Sequence, residues 1–276
     1  MSQGGKGNED LPDILKWAWF VVSSLLLIFL IPNVGCSQWG MGKGDGTWQR
    51  IQAQGVLRVG MDASYPPFES IDEEGEFVGY DVDLARELAR RWDVEVQFFD
   101  IHFDGLYDAL CAKKVDLLVS ALPHDRTLTE DILYSEPYFN AGQVLVVPQG
   151  EISIRAVEDL EGKRVAVELG AEAHQLLLQM VRDRGVSADI ITGRQPEEMF
   201  SLLKKGDVDA LICDRVTAYG NVKGEALHIV EPTLTSAPFV MAAHADSPVL
   251  ISKVDEALKV WRENGFLVDL EKRWLR

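Results

Sequence analysis

Cysteine is scarce in this sequence, and the three present, Cys36, Cys111 and Cys213, form no CxxC pair and no Cys/His cluster. That removes zinc-ribbon and thioredoxin chemistry. Histidine is nearly as rare, and the five present contain no HExxH pair, so no metal site and no cofactor are expected. Positive charge is also in short supply: 27 Lys and Arg against 44 Asp and Glu give a formal net charge of -17. Nucleic acid is held by clustered cations that displace counterions, so a nucleic-acid partner is excluded. A GxSxG elbow, an activated Cys/His pair and a nucleotide fingerprint are all missing, and the chain is not expected to be an enzyme.

What is present begins with apolar residues, 47% of the 276, enough to build substantial α/β cores. The uncharged run WAWFVVSSLLLIFLI at 17–31 follows Lys16 and leads through Pro32 and NVG to Cys36. This is the layout of a secretory leader, and it falls short of the roughly 20 residues of a spanning helix. Gly35-Cys36 resembles a lipoprotein processing site with Cys36 as the lipidated residue, although Asn33 stands where Leu or Val is usual and Glu9, Asp10 and Asp13 acidify the leader. An uncleaved anchor helix is the alternative, and either reading leaves the rest of the chain extracytoplasmic and tied to the membrane. Residues 1–36 are thus a leader or anchor and 37–50 a flexible linker, whose GMGKGDG lacks the GxxxxGK[ST] spacing of a phosphate loop.

From Gly55 onward short β-branched runs alternate with amphipathic segments, the pattern of parallel sheets flanked by helices. VLRVGM reads as a strand. Val82, Leu84, Ala85, Leu88, Ala89 and Trp92 lie at helical spacing, and VEVQFF returns as a second strand. Asp104 is a candidate N-cap for the helix that follows. The second half repeats this grammar: LCAKKVDLLVS and LLKKGDVDALICD each run helix, Lys-Lys, turn, Asp, strand, and deliver Ser120 and Asp214 at a strand's C-terminal end. Two similar lobes are implied, with a cleft where their strand ends face each other. Cys111 and Cys213 then fall in different lobes, beyond disulfide reach, and each is expected as a small buried apolar residue.

In order along the chain stand GVLRVGMDASYPPFE, GYDVDLARELAR, FDGLYDALCAKKVDLLVSAL, YSEPYF, EDLEGKRVAVELG, KKGDVDALICDRVTAY and ALKVWRENGFLVDLEKRW. Over about residues 47–276 this series resembles the amino-acid-binding family of ABC-transporter substrate-binding proteins, of the α/β type II periplasmic-binding fold. The resemblance implies two lobes, one from 51–139 and 238–276, the other from 145–234, with hinge crossings at 140–144 and 235–237. It implies a ligand wall of Asp62, Tyr65 and Phe103 on lobe one, where Ser120, at its strand's C-terminal end, can add a hydroxyl donor. On lobe two it implies Asp214 for an ammonium group and Gly170 in a loop whose N–H groups can approach an anion.

The departures are informative. The family positions that include its Thr and carboxylate-gripping Arg, counted from Ser120 to Ser135 without gaps, fall on Pro123, Asp125 and Leu128, so the Arg is absent there; Arg126 stands two residues early as a substitute. Glu168 and Glu172 replace groups that are neutral or basic in the family. With Asp62, Asp125 and Asp214 the candidate cleft carries several carboxylates, and burying them unpaired is costly. The expected ligand is therefore a small cationic solute: a basic amino acid, a polyamine-like compound or a quaternary amine. The expected partner is an ABC permease. A receptor signalling to a membrane partner, and a dehydratase-like enzyme with Glu168 or Glu172 as acid or base, are the alternatives.

Overall fold

The computed structural model describes Met1, residues 46–125, Thr127 and residues 130–275. The leader, Cys36, the linker up to residue 45 and Arg126 lie outside the described residues. The chain from Asp45 onward forms one compact unit.

Helix α1 (Gly46–Gln54) leads into β1 (Val56–Met61), which buries Leu57, Val59 and Met61 on one face and leaves Val56 and Arg58 half-buried on the other. A small three-stranded sheet follows, of β2 (Ser64–Tyr65), β3 (Glu69–Ile71) and β4 (Phe77–Val78). Helix α2 (Tyr80–Trp92) has Asp81 and Asp83 in its first turn and Arg90 and Arg91 in its last, matching the helix dipole. It buries Val82, Leu84, Ala85 and Leu88. Strand β5 (Glu95–Asp100), a 3₁₀ turn (Phe103–Gly105), α3 (Leu106–Cys111) and β6 (Leu117–Pro123) come next. Asp104 is not a cap: it lies inside the 3₁₀ turn, and neither helix start has a side-chain cap bond. Strands β7 (Ile132–Tyr134) and β8 (Phe139–Asn140) end this part.

The chain then crosses to β9 (Gln143–Pro148), β10 (Arg164–Glu168), α4 (Glu172–Arg184), β11 (Asp189–Gly193), α5 (Pro196–Lys205), β12 (Ala210–Asp214), α6 (Arg215–Val222) and β13 (Leu227–Val230). It returns through β14 (Pro238–His244) and ends in α7 (Pro248–Glu263) and α8 (Phe266–Trp274). Gly265, at φ 82, supplies the left-handed turn between the last two helices.

One sheet runs β5-β1-β6-β14-β7, with β8 beside β14; the other runs β11-β10-β12-β9-β13. The first three strands of each are parallel, and the fourth, β14 or β9, is antiparallel and lies next to a crossing. This is the mixed α/β, two-domain periplasmic-binding-protein fold.

The repeat in the sequence has a physical origin in two matching clamps. Arg58 N–H and Nε donate to Asp116 Oδ2 at 2.9 and 3.1 Å and its Nη2 to Oδ1 at 2.7 Å. Arg164 does the same to Asp209 at 2.9, 3.2 and 2.8 Å. Each clamp ties the starts of two parallel strands with a bidentate charge-assisted pair.

At the crossings, Asn140 Oδ1 accepts from the N–H groups of Gly142 and Ala237, at 3.0 and 2.8 Å. Gln143 N–H donates to Thr235 Oγ1 at 2.9 Å, and a Cβ on Gly142 would stand 2.1 Å from the Thr235 carbonyl oxygen. The two chain segments therefore run against each other with no room for a side chain at that point.

Candidate ligand-binding site

The cleft wall of the first lobe grows from the C-terminal ends of β1, β5 and β6, where open α/β sheets hold ligands. Asp62, the residue after β1, organises it: Oδ2 accepts from Phe103 N–H at 2.8 Å and Oδ1 from the Ser64 hydroxyl at 2.6 Å. Its own N–H donates to Ser120 Oγ at 2.9 Å. Tyr65 stacks on the buried Phe68 ring at 5.7 Å between centroids. Tyr65 and Phe103 nonetheless remain 43% and 42% exposed. A cavity of about 350 Å³ lies here, lined by Asp62, Ser64, Tyr65, Glu69, Phe103, Ser120, Ala121 and Phe239.

Asp62, Tyr65, Phe103 and Ser120 are thus brought together. Ser64, Glu69, Ala121 and Phe239 were missed. Glu69 carried a signal in retrospect, an acid in the apolar stretch PPFES, but its burial follows from the fold of the small sheet. Burial first, then the Asp81 carboxylate, pushes Glu69 up to about 10, and burial raises Asp81 to about 6. Ala121 holds a left-handed φ of 43, which aims its N–H at Asp81 Oδ2, 2.6 Å away.

From the second lobe, Asp214 ends β12 and caps α6 by accepting from Thr217 N–H at 2.9 Å. Burial, and after it the Asp214 carboxylate, raises the Tyr65 phenol above its ordinary value. Glu168 is half-buried at the end of β10 and Glu172 is exposed at the start of α4. The loop between them departs from expectation. Gly170 N–H donates to His174 Nδ1 at 3.1 Å, Leu169 N–H to Gly193 oxygen at 2.9 Å and Ala171 N–H to Glu168 oxygen at 3.2 Å. The expected anion nest is filled by the chain's own acceptors, because His174 lies one turn into α4 and reaches back over Gly170.

Asp125 does not line the cavity. It accepts from the Thr127 hydroxyl and N–H at 2.7 and 2.8 Å, and these bonds hold its carboxyl below the usual range. Cys213 is buried as expected, but Cys111 is exposed at the end of α3, where the helix face turns to solvent. Among the described residues no helix is long and apolar enough to cross a membrane, and no group of three or more His, Cys, Asp or Glu could hold a metal ion.

Comparison with known proteins fits this geometry. The L-cystine-binding protein TcyJ of Escherichia coli (strain K12) is 27% identical over 83% of this chain and 86% of its own length. A solved ancestral cationic amino acid solute-binding protein superposes with a TM-score of 0.62 at 31% identity, covering 83% of this chain and all of that one. An ancestral cyclohexadienyl dehydratase superposes with a TM-score of 0.73 at 25% identity, over 82% of this chain and 95% of that one. Residues 57–276 match the model of the bacterial extracellular solute-binding proteins, family 3, and the chain belongs to that family.

Proposed function

We propose that this protein captures a small cationic solute, a basic amino acid or a related amine, between its two lobes outside the cytoplasm and hands it to an ABC permease. One observation carries the reading: the cavity lining brings in the Asp62 carboxylate and no Lys, Arg or His, while the N–H groups of the loop at 169–171 are already bonded within the chain. An ammonium or guanidinium group finds the Asp62 carboxylate and the aromatic faces of Tyr65 and Phe103 here. A free anion finds few donors.

In this reading Asp62 and Asp214 supply the charge, and Tyr65 and Phe103 clasp the apolar stem. Glu168 and Glu172 bias the far wall against anions. Lobes 51–139 with 238–276 and 145–234 close by bending at 140–144 and 235–237, as hinged binding proteins do. The leader, through a lipid on Cys36 or as a helix, tethers the receptor near its permease.

Calorimetric titration with arginine, lysine, glutamine and glutamate tests the proposal. Tight binding of arginine or lysine is expected, and binding of glutamate alone overturns it. A dehydratase-like reaction is the second reading, favoured by the likeness to the ancestral dehydratase. Turnover of a prephenate-like cyclic acid would establish it, but such an anion would have to settle against the same carboxylates.

A further inference from the structure

Beneath the cavity two acids meet out of reach of water. Glu69 in β3 is 1% exposed and Asp81 in α2 is 0%. Glu69 Oε1 accepts from the Ser120 hydroxyl at 2.8 Å, and Asp81 Oδ2 accepts from Ala121 N–H at 2.6 Å and the Tyr138 hydroxyl at 2.7 Å. The remaining oxygens, Glu69 Oε2 and Asp81 Oδ1, are buried, and among the described residues no N–H or hydroxyl reaches either. The two buried carboxyl groups nonetheless act on each other, the Asp81 charge favouring the neutral form of Glu69. Two carboxylates offer only lone pairs, so a bond between them requires a proton.

We propose that Glu69 carries that proton at neutral pH and serves as a positioning residue for the cleft wall. Its Oε2–H donates to Asp81 Oδ1, while Oε1 orients Ser120, whose oxygen receives the Asp62 N–H. The chain of bonds thus runs from Tyr138, just before the first crossing, through Asp81, Glu69 and Ser120 to Asp62, which in turn holds Phe103. Glu69 is the better site for the proton because Asp81 already accepts two bonds that favour its ionised form. The titratable groups acting on Glu69 or acted on by it are Asp62 after β1, Tyr65 in β2, Asp81 in α2 and Tyr138; Tyr80 in α2 joins the network through Asp81 and brings in Glu271 and Arg215. The charges acting on Glu69 itself, Asp81 and Asp62, are both negative and both favour its neutral form.

The pH sign follows. Glu69 keeps its proton in the folded protein up to about 10, against 4.5 for the ordinary group. Its contribution to stability is therefore fully present below 4.5, and it is lost as pH rises through the folded value of about 10. Glu69→Gln copies the protonated acid, donating from its amide to Asp81 and accepting from Ser120, without this dependence.

The test is run on the full chain, without ligand and with arginine. Infrared spectra of protein labelled with ¹³C-glutamate are expected to show one protonated glutamate carboxyl at neutral pH, absent from Glu69→Gln. The thermal midpoint of Glu69→Gln is expected to gain on that of the native protein as pH rises, while Glu69→Ala loses stability throughout. No protonated band, or a midpoint difference flat with pH, overturns the proposal; should Glu69→Gln fail to fold, the native infrared band decides alone. The arginine arm rests on the amine reading given above: Glu69→Ala is expected to lose affinity about tenfold or more and Glu69→Gln to recover most of it. Absence of both arginine and lysine binding to the native protein would count against the amine reading and leave the infrared result untouched.

Discussion

The two lobes use one device at two depths. Arg58 with Asp116 and Arg164 with Asp209 make the same three hydrogen bonds in the same order, but the Asp116 side chain is 2% exposed and that of Asp209 is 33%. Arg50 from α1 adds a second cation to Asp116. The cleft walls differ in the same sense. Lobe one builds its wall from a chain of bonds that runs from Asp62 through Ser120 to the buried Glu69, whereas Glu168 and Glu172 of lobe two stand half-buried or exposed. Local sequence grammar sets the contact, and depth in the fold sets its energetic weight.

The largest effect should come from the buried clamp. Asp116→Ala leaves Arg58 and Arg50 without their shared partner and is expected to cost about 3 kcal/mol, the order for one member of a buried ion pair. Asp209→Ala, screened by solvent, is expected to shift the urea midpoint far less. Equal shifts would erase the contrast between the lobes. Next comes the seam that joins them: Gly142→Ala would push a methyl group against the Thr235 carbonyl, 2.1 Å away. A loss of about 1–3 kcal/mol is expected, the order for overpacking, read from thermal unfolding. An unchanged midpoint would mean that the crossings separate easily.

Most of the architecture was legible because its signals are local. The helix at Tyr80–Trp92 has apolar spacing and end charges that agree, and Asn264-Gly265 marks the end of α7 by backbone preference alone. The helix, Lys-Lys, turn, Asp, strand echo pointed to two lobes because each Asp answers an Arg in a neighbouring strand. The small sheet of β2 to β4 was not legible, since strands of two or three residues have no period to read, and with it the burial of Glu69 was hidden. Asp104 looked like a cap because an acid before a helical run usually is one, but the 3₁₀ turn begins at Phe103, one residue before it. Gly170 looked like an open nest because only coordinates show His174 folded back on it. Residue type is read from sequence, but which donors are already spent is a property of three dimensions.

A smaller effect separates the structural from the ligand role of lobe two's own wall residue. Asp214→Ala removes the acceptor for Thr217 N–H and is expected to cost about 1 kcal/mol as a lost N-cap. Asp214→Asn retains a good cap and should keep stability while lowering affinity for a cationic amino acid. If Asn weakens stability as much as Ala, the carboxylate matters to the fold through something other than the cap.

The smallest effect is the acid response of the exposed clamp. The Arg164 side chain, chiefly by its hydrogen bonds, holds Asp209 below its ordinary 3.8. A carboxyl depressed by folding adds stability that is present above the unfolded value and is lost as pH falls through the folded one. The native protein should therefore lose part of its stability in strong acid that Arg164→Gln never had, so the gap between their midpoints closes as pH drops below 3.8. Salt should shrink the same gap at neutral pH, because a pair this exposed is screened. A gap that survives both acid and salt would place the Arg164–Asp209 clamp in a drier setting than its exposure indicates, and the two lobes would then be equals after all.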